Sequence, residues 1–205
     1  MTIPVGEPIS PRAVREWIAE HARDRYEEVR AASESHRAEH GNNCTVYPTA
    51  SGPLLGVLAA ATAASRILEL GTGLGYSALW LASAGAHVDT IEQDEAHAVL
   101  AETNLAGTDA EVHVGQGAKV LSTLEPGYDL VFSDGEPVEF ETDLDEFERL
   151  LRPGGLLVSA NLFLGQYSDN VEGLEHAAAY RERLLDESRF QTAVLGDGLA
   201  LSVLR

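Results

Sequence analysis

The chain has 205 residues, enough for one domain whose core needs neither disulfides nor a structural metal. Acidic residues outnumber basic ones 33 to 14, the formal net charge is -19, and Lys119 is the only lysine. Such a surface repels phosphate backbones and anionic headgroups, so no nucleic-acid or membrane partner is expected.

The first residues, MTIPVGEPIS, lack a basic stretch followed by an apolar one, so no secretory signal is expected and the cytoplasm is the expected location. No apolar run approaches the roughly 18 residues that span a bilayer. Ser10 before Pro11 reads as a helix cap and first helical position. Val14, Trp17, Ile18, Ala22, Tyr26 and Val29 then recur at helical spacing, which predicts one amphipathic helix over 11–35. Residues 36–52 are rich in turn formers and read as a loop able to fold over a pocket. Within it lies Cys44, the only cysteine, so no intrachain disulfide is possible. Residues 1–52 are expected to form a cap or a dimer contact, and 53–205 the core of a single domain.

A short helix is expected over 53–64. Strands and helices then alternate: strand 66–70, helix 76–83, strand 87–91, helix 95–105, strand 111–114, helix 119–124, strand 128–133, helix 143–151, strand 155–160, helix 171–187. Alternation of this kind makes a mostly parallel sheet with helices on both faces. Two last strands, 190–195 and 199–204, are joined by Gly196-Asp197-Gly198, which forces a hairpin and one antiparallel strand.

Chemistry concentrates in ILELGTGLGYSALWLA, residues 67–82. A buried strand runs into Gly71-Thr72-Gly73-Leu74-Gly75 and a helix starts at once. Glycines permit the tight turn and close ligand approach, and the helix N-terminus offers N–H groups to an anion. Ser77 adds a hydroxyl, and Glu69 an acceptor for a ligand ammonium. Glu92 ends the second strand about twenty residues on, where an acid accepts from ribose hydroxyls. Gln116 and Gly117 follow the third strand and are expected near an adenine. A nicotinamide dehydrogenase shares some of these signs, but Tyr76 stands where GxGxxG has its third glycine. No Asn- or Asp-Pro-Pro-aromatic run marks an amino- or nucleic-acid methyltransferase.

In this order, Tyr47-Pro48-Thr49, ILELGTGLGYSALWLA, TIEQDE, YDLVFSDGEP, LLRPGGLLVSANLF and GDGLALSVLR resemble the small bacterial O-methyltransferases related to the catechol and caffeoyl-coenzyme A enzymes. The resemblance covers most of 47–205. It implies a Rossmann-like α/β fold with a seven-stranded, mostly parallel sheet and an antiparallel C-terminal strand. It implies S-adenosylmethionine (SAM) as cofactor, held by Glu69, Gly71, Thr72, Gly73, Tyr76, Ser77, Glu92, Gln116, Gly117 and Asp134. It implies methyl transfer to a hydroxyl of a small molecule, commonly aromatic, and a homodimer.

The family also holds Mg²⁺ with an Asp after the fourth strand and an Asp-Asn pair after the fifth. Asp134 and Asn161 match the outer two positions, but Ala160 replaces the middle ligand. Losing one of two anionic ligands weakens a hard cation's site, so the metal site reads as degenerate unless Glu136, Asp143 or Asp145 compensates. Without a metal, a base must take the acceptor's proton. Asp134 is the first candidate, with His36 and His40 behind it. A SAM-binding sensor without methyl transfer is the alternative.

Overall fold

The structure is a computed structural model of the chain, describing residues 10–41, 44–135, 137–163, 171–196 and 198–205. Its elements are α1 (Pro11–His21), α2 (Glu27–His40), α3 (Gly52–Ala61), β1 (Arg66–Leu70), α4 (Tyr76–Ala82), β2 (His87–Glu92), α5 (Glu95–Asn104) and β3 (Ala110–Val114), followed by α6 (Gly117–Leu121), β4 (Tyr128–Ser133), α7 (Pro137–Leu150), β5 (Leu151–Ser159), α8 (Val171–Leu184), β6 (Phe190–Val194) and β7 (Ala200–Leu204). The seven strands lie in the order β3-β2-β1-β4-β5-β7-β6. All ladders are parallel except those that β7 makes with β5 and β6. The hairpin therefore inserts the last strand beside β5 and leaves β6 at the edge.

Alternation along the central strands builds two cores. Ile67, Leu130, Phe132, Leu156 and Val158 face α3 and α4, packing with Leu55, Ala59 and Leu81. Leu68, Val131 and Leu157 face the other way, onto Leu144, Phe147, Tyr180 and Leu184 of α7 and α8. Helices on both faces explain why these strands read as apolar runs. The order reverses between β1 and β4, so their carboxyl ends open a crevice at the switch point, where such folds bind ligands.

The N-terminal expectation needs correction. The single helix over 11–35 is two helices, broken around Ala22, whose backbone is extended at ψ 130. Asp24 explains the break. Its carboxylate accepts from Tyr26 N at 2.9 Å, Arg30 Nε at 2.8 Å and Tyr76 Oη at 2.8 Å. These contacts anchor the corner to α4 and outweigh a helical pattern that the apolar spacing carries straight through. α2 then continues to His40, so residues 36–40 are helical and the loop begins at Gly41. Asp24→Ala is expected to lower stability by about 1–3 kcal/mol, because it strands the buried Tyr76 hydroxyl and removes one of the carboxylates paired with Arg30. Denaturant unfolding of the two proteins checks this.

Two further boundaries move by four residues or more. α7 starts at Pro137 rather than near 143, with proline at a first helical position where its missing N–H costs nothing. β5 starts at Leu151 and crosses a register shift opposite Tyr128 and Leu130 before its buried run. Asp197 of the hairpin link lies outside the described residues.

Candidate active site

A cavity of about 660 Å³ opens over the carboxyl ends of β1, β2 and β4. Gly71, Thr72, Gly73, Leu74, Tyr76 and Ser77 form its floor. Glu92 and Gln93 stand on one side, Asp134, Gly135, Ala160 and Asn161 on another. The segment from Thr45 to Ser51 closes the front, pinned by Val46, which packs with Cys44 and Leu74.

The turn after β1 requires its first glycine. Gly71 has φ 97, and a Cβ there would stand 2.9 Å from the Asp134 carbonyl oxygen. Gly71 N and Thr72 N both donate to Ile91 O, at 3.1 and 3.2 Å, which ties the turn to the end of β2. α4 begins immediately afterwards, so its first N–H groups have no intrahelical partner and face the cavity floor.

Glu69 is fully buried and lies beneath the floor rather than in it. The register pairs it with Thr90, whose hydroxyl donates to Glu69 Oε2 at 2.5 Å. The Thr90 hydroxyl also makes a 2.6 Å hydrogen bond with Thr72 Oγ1. Thr72 therefore lines the cavity while its hydroxyl points into the sheet. Glu69 Oε1 is buried without a hydrogen-bond partner. Burial pushes this carboxyl up to about 8, against the pull of Ser77 and Thr90, with the charges of Asp134 and Glu92 adding to the rise.

Glu92 accepts from Gly73 N at 2.8 Å and from Asp94 N at 2.9 Å, so it braces the Gly-rich turn as well as facing the cavity. Tyr76 reaches the wall, but its hydroxyl is turned to Asp24, and burial pushes it up to about 12. Gly117 lines the cavity, whereas Gln116 is exposed and outside it; Gly115 takes the adjoining place. Ser33 and Leu199 are wall residues that sequence reasoning missed. Ser33 is a buried polar residue of α2, with its hydroxyl on Val29 O at 2.8 Å, a feature no local sequence pattern announces.

Asp134 follows β4, fixed by its N–H on Leu70 O at 2.9 Å. Asn161 Nδ2 donates to Asp134 Oδ1 at 2.7 Å. Asn161 has φ 60, a left-handed conformation that Asn tolerates better than most residues. Burial pushes the Asp134 carboxyl up to about 7, and the Asn161 amide pulls it back in part. A carboxyl divided between its two protonation states at neutral pH is suited to proton transfer.

A hard divalent cation asks for about six oxygen ligands, carboxylates prominent among them. Here Asp134 and Asn161 are engaged with each other, and Ala160 offers no donor. Asp143 is buried beneath Gly117, and Asp145 pairs with Arg183 outside the cavity. Glu136 lies outside the described residues. The described residues do not fit a magnesium ion. His36 and His40 are also absent from the wall. Both ride on α2, where His36 turns to His97 and stacks on His40.

A cationic ligand with an anionic tail does fit. The floor presents helix N–H groups and glycines, the carboxyl groups of Glu92 and Asp134 line the walls, and that of Glu69 lies beneath the floor. The fold and this site define a class I SAM-dependent methyltransferase. A family profile described as a methyltransferase domain matches residues 68–161. A Mycobacterium sp. (strain JLS) protein, provisionally named an O-methyltransferase, is 36% identical over 96% of this chain and 96% of its own. The SAM-bound O-methyltransferase TomG of Streptomyces achromogenes, involved in tomaymycin synthesis, is 27% identical with a TM-score of 0.77, over 94% of this chain and 96% of its own. The SAH-bound Bacillus cereus O-methyltransferase shares the fold at 24% identity and a TM-score of 0.77, over 94% and 97% of the two chains. The chain belongs to the O-methyltransferase family, and its cofactor is SAM. No helix among the described residues is long and apolar enough to cross a membrane.

Proposed function

We propose that this enzyme methylates a hydroxyl of a small aromatic acceptor, with Asp134 taking the proton and no divalent cation at the reacting oxygen. The observation that carries this reading is Asp134 itself, a wall carboxyl raised to about 7 by burial and oriented by Asn161. SAM, when bound, supplies a methyl group on a sulfonium with a good leaving group. The protein's part is alignment and proton removal. The turn at Gly71–Gly73 and the start of α4 receive the methionyl carboxylate, with Ser77 beside them. Glu92 receives the ribose, and Gly115 and Gly117 the adenine. Segment 45–51 covers the site and excludes water. The deciding experiment measures labelled methyl transfer from SAM to a panel of catechols and monohydric phenols. Transfer to hydroxyl oxygen supports the reading. Tight SAM binding with no transfer to any acceptor counts against it.

The carboxylates also predict how cofactor binding depends on pH. SAM carries one net positive charge, and a nearby cation favours the ionised forms of Glu69 and Asp134. Binding therefore expels protons held by groups raised to about 8 and about 7. SAM affinity should rise with pH and level off above about 8. SAH lacks the sulfonium charge, so its affinity should rise less. Calorimetric titration of both ligands across this range checks the difference, and parallel profiles would contradict it.

A further inference from the structure

Three side chains outside the cofactor cavity converge on one point. His36 comes from α2, Cys44 from the start of the covering segment, and His97 from the first turn of α5. His36 Nε2 and His97 Nε2 face each other at 3.2 Å, with the rings edge to face. One ring nitrogen of each histidine and Cys44 Sγ all lie within 4.8 Å of one another. Cys44 and His97 are buried, at 5% and 8% exposure. Two nitrogens bound to one tetrahedral zinc stand about 3.3 Å apart, which is close to the spacing found here.

Hydrogen bonding alone accounts poorly for this arrangement. One of the two imidazoles must donate and the other accept. Whichever tautomer His97 adopts, its Nδ1 remains buried without a partner. Two imidazoles and a thiolate make a donor set for a borderline or soft metal, not for magnesium.

We propose that His36, Cys44 and His97 bind a zinc-class transition-metal ion, which fastens α2 and the covering segment to α5. The fourth tetrahedral position goes to water or a small anion, and the Cys44 thiol loses its proton on binding. The site differs from the Asp134–Asn161 pair in place and in chemistry. It joins the element that carries Cys44, and hence wall residues Thr45–Ser51, to the helix that follows Glu92. The ion would thus hold the cover shut from outside the cavity.

The test uses the full chain, stripped of metal with a chelator and dialysed. Zn²⁺ is titrated in competition with a chromogenic chelator, and Co²⁺ serves as the spectroscopic probe. One equivalent of Zn²⁺ should bind and raise the melting temperature. Cys44→Ser and His36→Gln should each weaken binding at least about tenfold, since lost second-shell partners alone cost that much. The Co²⁺ complex should show a thiolate-to-metal band that Cys44→Ser removes. His36 sits on the partly exposed side of α2, so its variant stays informative if the cysteine variant folds poorly. Absence of stoichiometric binding, or equal binding by wild type and both variants, would overturn the proposal.

Discussion

Asp134→Asn is expected to lower kcat by about 10²–10⁴-fold while changing SAM affinity by less than about tenfold. The substitution keeps size and shape but removes a wall group placed and tuned to accept a proton. Wild-type kcat/KM should climb with pH through about 7, because burial holds the free carboxyl there. That limb should vanish in the variant. A purely structural role for Asp134 would instead lower activity without changing the pH profile. Steady-state rates for both proteins, taken across neutral pH with one acceptor, separate the two. An acceptor already ionised at neutral pH should suffer much less from the substitution, which gives an internal control.

Gly71→Ala is expected to abolish measurable SAM binding and to destabilise the fold by about 2–5 kcal/mol. Two independent costs add at this position. A φ of 97 strains any residue with a side chain. The added methyl would also meet the Asp134 carbonyl oxygen at 2.9 Å, and that oxygen cannot swing away as a side chain would. Relief requires β1 and β4 to part at the switch point, which moves the cofactor floor and Asp134 together. Denaturant unfolding measures the first effect and calorimetry the second. Gly107→Ala is the control, with φ 87 but nothing within 4 Å of its Cβ. It should show the strain without the clash or the loss of binding.

The sheet was legible because its signals are local and repeated. Apolar runs such as Ile67–Leu70, punctuated by glycines, specify buried parallel strands, and the Gly196–Gly198 link specifies the hairpin. That Glu92, Asp134 and the Gly-rich turn would share one cavity was legible for the same reason, since each sits at a fixed offset from a strand end. What failed depended on contacts distant in sequence. The break at residues 22–26 follows from Asp24 meeting Tyr76, 52 residues away. Gln116 and Gly117 are neighbours, and spacing cannot tell which faces the cavity. His36 and His40 read as loop residues because the turn formers of 41–52 blurred the end of α2. The partnership of His36 with His97 spans 61 residues and no local pattern announces it. Ala160 was a legible departure, and the engagement of Asn161 with Asp134 supplies its structural counterpart.

The most direct test compares methyl-transfer rates of the chelator-treated enzyme with and without added Mg²⁺, using a catechol acceptor. If Asp134 acts as the base and no hard cation sits at the reacting oxygen, Mg²⁺ should change the rate by less than about twofold. A rate that appears only when Mg²⁺ is restored, and that Zn²⁺ does not restore, would show that Asp134 and Asn161 hold a metal after all and would contradict the account.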